Sequence, residues 1–181
     1  MEKRHKYSKL MNSKYYKPPR FWEQGKNYLI KKDKKLGRLI KSYPKDFLFS
    51  KSDPFLTLSR SIVGQQISVK AAQSVWDRLE IKIKKVTPIN IKIIHSTSLK
   101  SVGLSRQKVK YLKNLSDAFI ESKIKIKLWS KMNDEEIIQD LVQIKGIGRW
   151  TAEMFLIFNL CRADVFPIDD SDTYYSIFDY I

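Results

Sequence analysis

The sequence predicts an all-α protein, on three observations. Apolar residues recur at three- and four-residue spacing through most of the chain. Serine, threonine, aspartate or asparagine stands just ahead of several of these runs, with proline at their starts or beyond their ends. Strand-like alternation is scarce: KIKIKLW, 123–129, is the one segment that argues for it, and neither a repeat nor a glycine-rich linker interrupts the chain. A chain of 181 residues fits one domain, or two small lobes sharing helices joined by short connections.

Taken in order, residues 1–20 are basic and polar, carry Pro18-Pro19, and read as a mobile arm or lightly docked tail. Phe21 to Tyr43 reads as one helix, with Trp22, Leu29, Leu36, Leu39 and Ile40 at helical spacing and Pro44 just past its end. Asp53-Pro54 opens a long helical region in which Ile62, Val69, Ala72, Val75, Trp76 and Leu79 mark one buried stripe. Thr87-Pro88 starts a further helix. Ser105 caps the next, whose Val109, Leu112, Leu115, Ala118 and Phe119 make it strongly amphipathic. Asn133 with Glu136 forms a capping-box start to NDEEIIQDLVQI. A glycine hairpin follows, then a helix from Arg149 to Leu160.

Charge narrows the function classes. The net charge of +16 is concentrated in residues 1–50 and 81–131, whereas 132–181 is net acidic. An A/T-rich coding bias would enrich lysine everywhere, so the uneven distribution carries more meaning than the total. A basic body joined to an acidic stretch suits an enzyme acting on a polyanion, though a solvated surface reads the same way. No apolar run approaches the roughly 20 residues of a membrane helix, and the N-terminus lacks a signal-peptide core. The single cysteine, Cys161, excludes an internal disulfide and any four-cysteine zinc or iron–sulfur site; it reads as a small buried hydrophobe in a reducing compartment. His5 and His95 lack metal-ligand spacing, and Glu135-Glu136 reads as a helix start rather than a catalytic pair.

The hairpin LVQIKGIGRWTAEMFLI, 141–157, is the most informative stretch. Two helical runs flank Gly146-Ile147-Gly148. Gly146 can take the positive φ that ends the first helix, and Gly148 leaves room where an anion must approach the second helix's amides. The residues alone also allow an ordinary glycine-terminated turn between packed helices. The hairpin's carbonyls could hold a monovalent cation; no other metal or cofactor is expected.

KGIGRWTAEMF at 145–155 followed by ADVFPIDD at 163–170 resembles the helix–hairpin–helix (HhH-GPD) DNA glycosylase superfamily, in its 3-methyladenine DNA glycosylase II branch. FWEQGKNYLIKKDKKLGRLIKSYP at 21–44, DPFLTLSRSIVGQQISVKAAQSVWDRL at 53–79 and GLSRQKVKYLKNL at 103–115 agree with that branch. The resemblance implies a two-lobe helical fold over 21–181, with a central lobe of about 57–168 and a second lobe formed by the N-terminal helix and the C-terminal segment. It implies a monofunctional enzyme that flips an alkylated purine out of duplex DNA and hydrolyses its N-glycosidic bond. Asp170 matches the family's catalytic aspartate, with Asp169 as the alternative or as a helix-start acid. Trp150 occupies the position that is a Schiff-base lysine in strand-cutting relatives, so a lyase step is not expected. An indole in the base pocket suits positively charged alkylpurines, while core packing is its plainer role. Lys145, Gly146, Ile147, Gly148, Arg149 and Thr151 are the implied DNA contacts. Gln65, Gln66 and Ile67 fall where the family inserts a wedge into the minor groove, Gln66 first among them. Lys70, Arg106, Lys108 and Lys110 are further candidates for backbone contacts.

The expected partner is double-stranded DNA with a damaged base, bound by a monomer, in the cytoplasm or nucleoid of a prokaryote or the nucleus of a eukaryote. After Asp170 the family continues for some tens of residues, whereas SDTYYSIFDYI ends this sequence; a naturally short or a truncated chain is expected to leave the 21–43 region partly uncovered and to impair the pocket. The rival expectations are a catalytically impaired DNA-binding paralogue and a glycosylase for deaminated bases.

Overall fold

Asp33 divides the first expected helix in the structure, a computed structural model that describes residues 18–50 and 53–167. The chain forms two units, one up to Lys51 and one from Ser52 onward. In the first, α1 (Trp22–Lys32) and α2 (Lys34–Ser42) stand where one helix was expected from Phe21 to Tyr43. Asp33 is extended (φ −133°, ψ 116°) and its carboxylate accepts from the Leu36 amide at 2.9 Å, so it ends α1 and caps α2 at once. Periodicity does not reveal this break, because the apolar spacing runs on across it. Gly37 lets the two helices approach closely: a Cβ there would lie 3.1 Å from the Ile30 carbonyl oxygen.

The second unit begins with α3 (Pro54–Gly64), where Pro54 occupies the first turn and the Asp53 carboxylate accepts from the Leu56 amide at 3.0 Å. The long region expected from Asp53 then breaks. Gly64 to Ile67 form a tight turn, the Ile67 amide reaching the Gly64 carbonyl at 3.4 Å, with Gln66 at a left-handed φ of 57°. Ser68 caps α4 (Val69–Ile83). Val69, expected in the buried stripe, is 86% exposed because the turn resets the helical phase, whereas Val75, Trp76 and Leu79 are buried as expected.

The remaining helices are α5 (Pro88–Ile93), α6 (Ser96–Ser101), α7 (Arg106–Ile120), α8 (Asp134–Val142) and α9 (Arg149–Phe158). Thr87 and Ser105 cap α5 and α7 through the Asn90 and Lys108 amides, and Asn133 with Glu136 closes the capping box of α8 in both directions. KIKIKLW forms a short 3-10 turn at Ile126–Leu128, and the described residues contain no strand. Asp140 explains that conformation. One carboxylate oxygen accepts from both the Lys125 amide (2.8 Å) and the Trp129 indole N–H (2.7 Å), folding the segment onto α8.

Helices α3 and α7 form the middle of this unit: α4, α7 and α9 pack against α3, α5 and α6 against α7, and α8 against α9. Leu58, Ile62, Trp76, Leu79, Leu112, Leu115, Ile137, Leu141, Phe155 and Leu156 are essentially sealed from solvent. Each such side chain contributes roughly 1.5–3 kcal/mol of burial. At its far end α9 is fixed by a buried hydrogen bond from Asn159 Nδ2 to Thr57 Oγ1 at 2.9 Å. Its N-terminus, and the hairpin ahead of it, are thereby set against the α3–α4 turn and the start of α7.

Candidate active site

The hairpin closes through two short turns, with the Ile144 amide on the Leu141 carbonyl (3.1 Å) and the Ile147 amide on the Ile144 carbonyl (2.9 Å). Ile147 buries its side chain in the core and pins the tip. Gly146 takes a φ of 112°, and a Cβ on it would lie 2.3 Å from Tyr111 Cγ, so the Tyr111 ring lies against its α-carbon. Gln65 Nε2 donates to the Gly146 carbonyl at 2.9 Å, and Asn114 Nδ2 to the Lys145 carbonyl at 3.3 Å.

Gly148 begins α9 with no capping side chain, unlike Asp33, Asp53, Ser68, Thr87, Ser105 and Asn133 at other helices. Its φ of −92° suits any residue, and a Cβ there would meet nothing within 4 Å. Gly146 is thus required by the fold, whereas nothing in the described protein requires Gly148. An uncapped helix start with open space before it exposes main-chain N–H groups to an anion.

In front of the hairpin lies an open cleft of about 570 Å³. The structure brings Gln65, Gln66, Gly146, Ile147, Gly148 and Trp150, all candidate site residues in the sequence, together along it. Trp150 is 43% exposed, which argues against simple core packing. Ile67 is exposed beside Gln66 but does not line the cleft. Lys145 lines a separate hollow of about 350 Å³ with Lys110 and Asn114. The Thr151 side chain is buried, so only its main chain is available to a ligand.

Arg149 is held by two carboxylates: Nη1 and Nη2 reach Glu135 at 3.1 and 2.8 Å, and Nε reaches Glu153 Oε1 at 3.1 Å. The hydrogen bond from Arg149, reinforced by one from Gln139, lowers the Glu135 pKa to about 2. To reach a phosphate the guanidinium would have to exchange partners. Glu153 Oε2 is buried without a hydrogen-bond partner.

Sequence reasoning missed Ser105, Gln107 and Tyr111 as cleft residues. Gln107 and Tyr111 lie one turn apart on α7 and are hydrogen-bonded to each other through Gln107 Nε2 and the tyrosine hydroxyl. Their spacing was visible in the sequence, but the glycine they face lies 35 residues beyond Tyr111. Lys108, a candidate for a DNA backbone contact, lies at this cleft as well. Its Nζ instead donates to the Val63 carbonyl at 2.8 Å, at the end of α3, and burial pushes its pKa down. Asp169 and Asp170 lie outside the described residues.

A glycine-kinked turn joining two helices, with an uncapped helix start facing an open cleft, defines a helix–hairpin–helix protein. Comparison with known families says which kind: residues 59–174 match the HhH-GPD superfamily of base excision DNA repair proteins, and the chain belongs to that superfamily. Schizosaccharomyces pombe DNA-3-methyladenine glycosylase 1 is 36% identical over 141 residues, which cover 76% of this chain and 62% of that protein. The Saccharomyces cerevisiae DNA-3-methyladenine glycosylase is 40% identical over 129 residues, covering 65% and 43% respectively. The chain therefore spans about half the length of these two relatives. Among solved structures, the S. pombe 3-methyladenine DNA glycosylase in complex with abasic DNA superposes with a TM-score of 0.70 at 34% identity, covering 82% of this chain and 75% of that one.

Proposed function

We propose that this chain is a monofunctional DNA glycosylase that excises alkylated purines of the 3-methyladenine and 7-methylguanine type from duplex DNA. The observation that carries the reading is the cleft in which an exposed indole, Trp150, stands beside the uncapped hairpin and the Gln66 turn. Under this reading the first-turn amides of α9 hold a backbone phosphate next to the lesion. Gln66 occupies the gap left in the stack, and the flipped base lies against Trp150. Cation–π attraction, worth roughly 0.5–2 kcal/mol, favours a positively charged alkylpurine over its neutral parent. That positive charge also makes the base a good leaving group. The carboxylate of Asp170 stabilises the oxocarbenium-like sugar as the bond breaks, and water completes the hydrolysis. A monovalent cation held by carbonyls of the hairpin belongs to the same proposal; the Lys145 and Gly146 carbonyls already accept from Asn114 and Gln65. The partner is duplex DNA with one damaged base, engaged by a monomer in whichever compartment holds the genome.

Release of 3-methyladenine from methylated duplex DNA is the direct test. Wild type is expected to release the base, with Asp170→Asn slower by about 100-fold or more. Duplex binding without release would favour a catalytically impaired DNA-binding protein instead, and release of deaminated bases alone would redirect the substrate assignment.

One observation supports a second reading of the chemistry. Lys108 lines the cleft, and its pKa is lowered, so an amine is within the site even though Trp150 replaces the Schiff-base lysine. Borohydride treatment of a reaction on abasic DNA separates the two. A covalent protein–DNA adduct that disappears in Lys108→Gln would establish a lyase step and end the monofunctional assignment.

A further inference from the structure

We infer that Gln65 is a positioning residue that locks the Gln66 turn to the glycine hairpin, so that the side chain entering the DNA stack and the amides holding the backbone move as one body. The inference rests on the proposed function for what the two parts do, and on the structure for the tie between them. Gln65 and Gly146 are 81 positions apart, yet the glutamine amide donates to the glycine carbonyl at 2.9 Å. A carbonyl oxygen can only accept, so the amide nitrogen must face it and the side chain is not free to enter the groove. The Tyr111 ring closes the space that a Cβ on the same glycine would need. Gly146 is thus held by a hydrogen bond at its carbonyl and by a ring against its α-carbon.

The turn is held just as firmly. Gln65 has φ −53° and ψ 130°, Gln66 has φ 57°, and the Ile67 amide reaches the Gly64 carbonyl at 3.4 Å. These values describe a type II turn with Gln66 at the corner that normally takes glycine. A left-handed glutamine at that corner is strained unless its neighbours fix it. The side-chain bond of Gln65, the preceding residue of the same turn, ties that turn to the hairpin. A residue that spans two recognition elements sets their separation. The two glutamines, adjacent in sequence and both candidates for the wedge, therefore have different tasks. Gln66 is the one left to intrude, and Gln65 holds the frame.

The test uses a duplex carrying a stable abasic analogue opposite 2-aminopurine, whose fluorescence rises when the base is unstacked; no chemistry is required. Wild type is expected to raise the signal on binding. Gln65→Met keeps the length and loses the donor, and should lower the signal by about 3- to 10-fold while the protein still binds duplex. Gln66→Ala should give a similar loss, and the double variant should be no worse than either single one, because both act on the same event. Gln65→Glu adds a signature that loss of folding cannot imitate. Its carboxyl donates to the Gly146 carbonyl only when protonated, so unstacking should return as the pH falls through the titration of that carboxyl, and should not return in Gln65→Met.

Full unstacking by Gln65→Met, losses that multiply in the double variant, or no acid recovery in Gln65→Glu would each overturn the inference. A wild-type protein that unstacks the duplex but releases no base would end the glycosylase assignment and leave this tie standing.

Discussion

A Cβ on Gly146 would lie 2.3 Å from Tyr111 Cγ, whereas one on Gly148 would meet nothing within 4 Å. The two glycines of the hairpin therefore respond to substitution in opposite ways. Gly146→Ala puts an alanine at a φ of 112° and into a ring, and should cost about 3 kcal/mol or more of stability. Gly148→Asp supplies the missing cap at the start of α9 and should raise stability by about 0.5–1 kcal/mol. The same carboxylate would stand where the phosphate is proposed to lie, so duplex affinity should fall by about 10-fold or more. Urea melts and a duplex titration read the two effects, and unchanged affinity in Gly148→Asp would remove the phosphate from this helix end. Gln66→Gly makes a similar division: relief of the left-handed strain should add about 0.5–1 kcal/mol, while base release falls for want of a wedge. A variant that is both stabilised and fully active would show that Gln66 has no part in recognition.

Among the elements, α8 carries the hairpin, and Asp140 anchors it. Its carboxylate accepts from the Trp129 indole, the Lys125 amide and Gln143 Nε2 (3.2 Å), all close to the hairpin's first turn. Asp140→Ala leaves the buried Trp129 indole N–H and the part-buried Lys125 amide without their acceptor and should cost about 1–3 kcal/mol, measured by chemical denaturation. A loss of less than 1 kcal/mol would mean that the 123–129 segment is held by Trp129 packing alone. Element starts were legible in the sequence because a cap is a local signal: Asp53, Thr87, Ser105 and Asn133 each cap the helix assigned to them. Breaks inside a periodic run were not legible. At Asp33 and at Gln65 to Ser68 the apolar spacing continues across the interruption, and only the backbone angles show where the helix stops. The role of KIKIKLW was hidden for a different reason, since its conformation is set by a carboxylate on the following helix.

Across the whole molecule, charge is the variable that solution conditions control. Glu135 neutralises Arg149 beside the hairpin of a chain with a net charge of +16. Because the folded protein lowers the Glu135 pKa to about 2, the contribution of this pair is intact above the ordinary glutamate range and fades as the pH falls toward that value. Glu135→Gln should therefore flatten the acid limb of a stability profile between those limits. It also releases the two Nη groups of Arg149 while Nε stays on Glu153, so the slope of log affinity against log salt should steepen, by at most about one phosphate contact. A slope that does not change would place Arg149 away from the DNA. The members of the cleft on the hairpin and its neighbouring turn were readable as motifs. Their assembly with Tyr111 was not, because contacts over such separations leave no local pattern. The four tryptophans of the chain differ in exposure, and this has a practical consequence. Trp76 and Trp129 are sealed at 2%, while Trp150 stands open at 43%. With Trp22 changed to phenylalanine, the part of the intrinsic emission that acrylamide can quench would come chiefly from one indole, giving the cleft its own optical gauge: a strand lying across it would shield that light from the quencher, with no label attached.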